Sequence, residues 1–221
     1  MLLSARGLTY DRPSPQGPVR LFDGLDFALG PGELVDMSGP SGAGKTTLLL
    51  ALARLLPEAR AEQLSLDGKP AGEIPPPEWR AAVALLPQRP ILAAGSVRDA
   101  MLLPFSLKTH AATERPDDAG LRRALDSVGL ADVELDREAG RLSSGQAARV
   151  ALLRLVSMGP RALLLDEPDA ALDDDSAALV GGVVRDFVAA GGAAVRVRHL
   201  RVDAAADRRL RLAGGALTEV S

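Results

Sequence analysis

The chain has no cysteine, which excludes disulfides and cysteine-based zinc sites and fits a reducing cytosol. Aromatic residues are scarce, at 3%, so a core has to be built from Ala, Leu and Val. No run of ~18 or more uncharged apolar residues occurs, so the chain is not expected to span a membrane. Met1 to Tyr10 holds no apolar stretch long enough for a secretory signal. A basic excess is lacking as well. The formal charge is −3 and the sequence pI about 5.5, which argues against a broadly basic nucleic-acid binder, and no nucleic-acid partner is expected. Lysine occurs only at 45, 69 and 108, so a lysine inside a glycine loop stands out against an arginine-rich background. What is present is a 47% hydrophobic content over 221 residues, enough for one large domain or one core with a subdomain.

Along the chain, apolar runs alternate with turn signals. Residues 1–10 read as an edge strand ending at Tyr10, and Leu21 to Phe27 as a second strand region. Leu34 to Ser38 is a short strand feeding a glycine loop, and Thr46 to Leu56 is an apolar helix followed by Pro57. Gln63 to Leu66 is a strand before the Asp67-Gly68 turn. Pro75-Pro76-Pro77 reads as an extended connector into a short helix around Trp79, and Val83 to Leu86 as a buried strand. Beyond Gln88 the character changes to helical stretches (96–103 and 118–128) around a polar loop, which reads as a helical insertion. Then come a helix over 147–156, a strand at 162–165 apolar enough to be covered on both faces, a helix over 179–190, a strand at 193–197 and a closing hairpin around Gly214-Gly215. The alternation implies an α/β fold with a mostly parallel sheet.

Five segments carry chemistry. Gly39-Pro40-Ser41-Gly42-Ala43-Gly44-Lys45-Thr46, followed by Thr47, matches the phosphate-loop pattern between a strand and a helix. Its glycines let the backbone curl so that N–H groups point inward, and the helix start adds positive potential. Lys45 would reach the β- and γ-phosphates of ATP, and the Thr46 hydroxyl would ligate Mg²⁺. Asp166 ends a strand where such folds bind ligands and can hold the metal. Glu167 beside it could polarise the attacking water. Gln88, after a buried strand, could sense the metal or the water. Leu142-Ser143-Ser144-Gly145-Gln146 is a Ser-capped helix start that presents N–H groups and a hydroxyl to an anion. One chain already has its phosphate loop, so this second start is most naturally used by another molecule's ATP. His199 follows a strand and could contact the γ-phosphate and orient Glu167 or the water. Tyr10, the only tyrosine, could stack on adenine or be an ordinary strand residue.

In this order the segments resemble the nucleotide-binding subunits of ABC transporters over nearly the whole chain. The resemblance implies a RecA-like P-loop NTPase core with an antiparallel β subdomain and an inserted helical subdomain. It implies one domain over 1–221, with the core at 1–88 and 146–221 and the insertion at about 89–145. It assigns Tyr10 to adenine stacking, residues 39–46 to Walker A, Gln88 to the Q-loop, 142–146 to the signature, Asp166 and Glu167 to Walker B and catalytic base, Asp173 to the D-loop and His199 to the switch. It implies ATP and Mg²⁺ as cofactors. The implied partners are a second copy of the chain, sandwiching two nucleotides, and an integral-membrane permease. The implied location is the cytoplasmic face of the inner or plasma membrane.

Several positions depart from the family pattern. Ser144 replaces the first signature glycine, Ala147-Ala148 replaces a polar pair, Ala170 replaces a serine, and Arg198 and Leu200 replace the Thr and Asp around the switch. None removes a catalytic group; together they bear on rate and coupling. The segments Pro77-Glu78-Trp79-Arg80, Pro87 to Leu92, Ser96 to Asp99 and Leu103-Pro104-Phe105 further resemble the ATPase subunits of putative iron exporters. A soluble ABC ATPase acting on DNA or ribosomes is the second reading, weakened by the absence of sustained heptads, of cysteine and of a second cassette. A small-molecule kinase would explain 39–46 and Asp166 but not 142–146 or His199.

Overall fold

Two sheets and six α-helices are set out in the computed structural model, which describes residues 1–92, 95–110, 113–198 and 205–220. The first sheet is antiparallel and pairs β1 (Leu3–Arg12) with β2 (Val19–Leu29) on one side and β4 (Gln63–Leu66) on the other, with the short β5 (Lys69–Pro70) beyond. β1 is therefore an interior strand, not the edge strand its loose alternation suggests. The alternation is loose because its register with β2 shifts between Ala5 and Leu8, Leu8 and Tyr10, and Tyr10 and Asp11, and each irregularity breaks the two-residue period.

The second sheet has six strands in the order β10-β9-β3-β8-β7-β6. Its parallel part runs through β9 (Arg208–Ala213), β3 (Leu34–Ser38), β8 (Ala193–Val197), β7 (Ala162–Asp166) and β6 (Val83–Leu86). β10 (Ala216–Val220) closes it as an antiparallel hairpin with β9. The central strands are buried on both faces, apolar except for Asp36 on β3 and Arg196 on β8, and successive residues feed different clusters. Leu164, Val195 and Met37 face the core shared with the small sheet and α1 (Lys45–Leu52). Leu163, Leu165, Ala194 and Leu34 face the opposite core, which α5 (Ser144–Val156) and α6 (Asp174–Ala189) cover. A strand buried on both sides has no polar face to alternate with.

A third cluster lies in the insertion, among α3 (Val97–Leu102), α4 (Asp118–Ser127) and one face of α5. Val150 and Leu153 of α5 belong to that cluster, while Ala151 and Leu152 belong to the sheet's. α5 thus bridges the two bodies, and position 146 falls in its first turn.

Several boundaries differ from the sequence expectation. α1 ends at Leu52, not Leu56, because Arg54 takes a left-handed φ of 54° and its guanidinium donates to the carbonyls of Ala71 and Ile74 at 2.7 and 2.8 Å. Only Pro75 is extended. Pro76 and Pro77 occupy the first turn of α2 (Pro76–Ala82), where a helix needs no N–H donor. α6 begins five residues before its expected start. Asp173 caps it by accepting from the Ser176 amide at 2.8 Å, and Asp174 and Asp175 complement the positive end. α2 is anchored by Trp79, which is fully buried and donates its indole N–H to Leu52 O at 2.9 Å.

Candidate functional site

β3 runs directly into the phosphate loop, and the loop owes its path to close backbone packing. Gly39 has φ 150°, and a Cβ there would lie 2.1 Å from the Leu212 carbonyl oxygen of β9. Backbone cannot yield as a side-chain tip can. Gly39→Ala is therefore expected to push β9 off the loop, lowering the melting temperature and weakening ATP binding at least ~10-fold, as differential scanning fluorimetry and nucleotide titration would read.

Lys45 opens α1 and is 6% exposed. Its ammonium donates to the carbonyls of Gly39 and Pro40 at 2.9 and 3.0 Å, so it lies folded over the loop. Burial pulls its pKa below the usual lysine value, and the nearby Glu167 and Asp166 carboxylates oppose that pull. Thr46, next on the helix, donates its hydroxyl to Asp166 Oδ2 at 2.8 Å. Asp166 sits at the C-terminal end of β7 and is 4% exposed. Loop, hydroxyl and carboxylate, from residues 120 apart in sequence, thus meet at one end of the parallel sheet.

Glu167 follows in a left-handed conformation, φ 53°. For a non-glycine residue this costs on the order of 1 kcal/mol or more and clusters at functional sites. The turn brings its carboxylate to Gln88, whose amide nitrogen donates to Glu167 Oε2 at 2.9 Å. Leu86, the last residue of β6, pairs in parallel register with Leu165, one residue before the end of β7, so Gln88 and Glu167 both leave the sheet at the same end. Thr46, Asp166, Glu167 and Gln88 are an all-oxygen and amide set, the chemistry that suits Mg²⁺ shared with a phosphate chain. Among the described residues no group of three or more His, Cys, Asp or Glu could hold a metal on its own.

The second helix start is built as the sequence suggests, except that α5 begins at Ser144 and not at 147. Ser143 Oγ accepts from the Gln146 amide at 3.2 Å, and the Ser143 amide donates to Gln146 Oε1 at 3.0 Å. This reciprocal cap uses the serine oxygen as an acceptor and leaves its O–H to donate outward. Ser143 and Ser144 are exposed, whereas Gly145 is buried. A Cβ on Gly145 would stand 2.9 Å from Leu172 Cδ2 and 3.3 Å from the Ala171 carbonyl oxygen. The glycine therefore lets the segment before α6 seat against the helix.

Tyr10 is placed differently from the expectation. It is 7% exposed and its ring is part of the core shared by β1, β2 and α1; stacking on adenine would require it to leave that packing. What flanks the loop's outer side is a cavity of about 460 Å³ bounded by Arg20, Leu21 and Asp23 of β2, Gly42 and Ala43, and the β9–β10 turn. Arg20 is held there by Asp11 and, at 2.7 Å, by Asp23. No motif in the sequence marks this wall. His199 lies outside the described residues. Asp173 is found as the α6 cap, its carboxyl held below the usual aspartate range by the Ser176 amide and then hydroxyl.

Comparison with known proteins decides the family. The profile described as ABC transporter matches residues 22–170. This chain belongs to the ABC transporter family.

Relatives of the ABC chain carry several cargo names. The hemin import ATP-binding protein HmuV of Nocardia farcinica is 38% identical over 89% of this chain and 68% of its own length. The cytochrome c biogenesis ATP-binding export protein CcmA 2 of Cupriavidus metallidurans is 37% identical over 92% of each chain. The probable iron export ATP-binding protein FetA of Escherichia coli is 30% identical over 78% of this chain and 74% of its own. Among solved structures, the ATP-binding subunit of an ABC transporter superposes with TM-score 0.83 at 20% identity, over 100% of this chain and 90% of that one. A bacterial Atm1-family ABC exporter with ATP bound gives 0.81 at 24% identity, over 98% of this chain and 38% of that one. At such identities these two establish the fold alone. The ABC chain is an ATP-binding, ATP-hydrolysing subunit of a transporter, and no helix among its described residues is long and apolar enough to cross a membrane.

Proposed function

We propose that two copies of the chain close head to tail around two ATP molecules and drive a separate integral-membrane permease. The observation that carries this reading is the exposed Ser143-capped start of α5, a second phosphate-seeking helix end in a chain that already has a phosphate loop. Each nucleotide would lie on residues 39–46 of one chain, with Ser143 O–H and the Gly145 N–H of the other closing on its γ-phosphate. The chain would work at the cytoplasmic face of the membrane, supplied with its transmembrane part by the permease.

Within one pocket, Lys45 would exchange the Gly39 and Pro40 carbonyls for β- and γ-phosphate oxygens. Glu167 would take a proton from the attacking water as its oxygen bonds to the γ-phosphorus and ADP leaves. Gln88 donates its amide nitrogen to Glu167 and would have its oxygen left for the metal. Thr46 and Asp166 would hold Mg²⁺, which when bound would neutralise charge on the β,γ-phosphates. The insertion would meet the permease. Ile91 is 85% exposed, Leu103 45% and Leu107 53%, an apolar set beyond Gln88 in sequence that favours burial against a partner.

For cargo we propose metal export, on the strength of the residues 77–80, 87–92, 96–99 and 103–105 and of the iron-export relative. Co-purification from detergent extract is expected to recover a multi-span membrane protein, and a deletion strain to accumulate iron. Ribosomes or DNA in that extract would favour the soluble-ATPase reading. Lys45→Ala is expected to lower ATP turnover at least ~100-fold, since it removes a side-chain cation that would reach the transferred phosphoryl group; a phosphate-release assay on the purified variant reads this directly.

A further inference from the structure

A chain of buried charges crosses the parallel sheet beside the ATP site, and hydrolysis as described above makes no use of it. Asp36 on β3 and Arg196 on β8 are cross-strand partners. Arg196 Nε and Nη2 donate to the two Asp36 oxygens at 2.7 and 3.0 Å. Two residues on, Arg198 places Nη1 3.6 Å from Asp36 Oδ2. Its Nε and Nη2 donate to Asp169 Oδ2 at 3.1 and 2.6 Å. The exposures of Asp36, Arg196, Arg198 and Asp169 are 8, 2, 8 and 6%.

Buried ion pairs are weak sources of stability compared with apolar packing of the same volume. What an arginine fork supplies is a fixed geometry. Here the geometry joins particular places. Asp36 lies three residues before Gly39, on the strand that becomes the phosphate loop. Asp169 lies two residues after Glu167. From Asp169 the backbone turns, with Leu172 N donating to Asp169 O at 3.3 Å, and passes Ala171 and Leu172 against Gly145 of α5. It then enters the Asp173 cap of α6. Arg149 ties the far side, donating to Gly145 O at 3.2 Å and to Ser176 Oγ at 3.2 Å. A continuous line of contacts therefore runs from the phosphate-loop strand, through Arg198 and Asp169, to the seat of the Ser143 helix start.

We propose that Arg198 and Asp169 are positioning residues: their ion pair pins the 169–173 segment to β8, and so sets where the signature helix start stands relative to the phosphate loop of the same chain. Its consequence for turnover rests on the shared-pocket reading, since only then does one chain's signature serve the other's ATP. The pinning itself is a property of the single chain.

The test uses the full-length protein. Asp169→Asn keeps the volume and removes the charge. Its kcat is expected to fall on the order of tenfold with KM for ATP within about twofold of the parent, and the Leu172 and Ser176 amides to exchange hydrogen faster without nucleotide. The paired change Arg198→Met with Asp169→Leu is expected to return the melting temperature but not kcat. Recovery of both together, or parental kcat and exchange in Asp169→Asn, overturns the proposal, because the pair would then be packing only. Should Asp169→Asn not fold, Arg198→Lys keeps the charge without the fork, and parental kcat there overturns it equally. If Glu167→Gln stays monomeric with ATP, the shared-pocket reading fails, while the exchange readout still decides the pinning.

Discussion

Glu167→Gln is expected to bind ATP, to turn it over 10²–10⁴-fold more slowly, the range a positioned general base supplies, and to accumulate as a dimer on gel filtration. The substitution keeps the side-chain volume, the left-handed backbone at residue 167 and an oxygen to accept from the Gln88 amide, so the site should stay assembled. What it loses is the ability to take the water's proton. If ATP binding closes the dimer and hydrolysis opens it, blocking hydrolysis shifts the population to the closed form. A variant that remains monomeric at saturating ATP while hydrolysis is blocked would remove the basis for the shared pocket.

Ser143→Asp separates the two uses of one side chain. Aspartate caps a helix as well as serine does, so the Gln146 amide keeps its acceptor and the melting temperature should change little. The O–H that would donate to a γ-phosphate is gone, and a negative charge takes its place. Turnover is expected to fall at least ~100-fold, as for loss of a preorganised donor to a reacting oxyanion, and the Glu167→Gln dimer should no longer form in its presence. If Ser143 were only a cap, turnover would survive. Calorimetry and phosphate release on one preparation distinguish the cases.

Much of the site was legible because it is local. The strands at 34–38, 63–66, 83–86 and 193–197 have the expected bounds, each being a short segment in which apolar residues outnumber or match polar ones. The phosphate loop and the capped helix start likewise declare themselves within eight residues or fewer. What was not legible depends on partners distant in sequence. β1 reads as an edge until β4 is seen to pair with it across some sixty residues. Tyr10 reads as available for stacking until the core closes over it. Asp36, Asp169, Arg196 and Arg198 look like scattered charges, and Arg198 merely like a departure from a pattern, because no spacing rule relates β3, β8 and the turn after β7. Pro76 and Pro77 read as extended because proline suits both an extended chain and a helix's first turn, and only the fold chooses.

The absence of native cysteine permits the most direct measurement of the shared pocket. Ser41 of the phosphate loop and Ser144 of the signature are both exposed. One preparation carries Ser41→Cys and another Ser144→Cys, each in the Glu167→Gln background, and they are mixed with ATP and a short thiol–thiol cross-linker. The account predicts a covalent pair between unlike chains that depends on ATP. No cross-link in the mixture, with a link inside single chains that carry both substitutions, would contradict it.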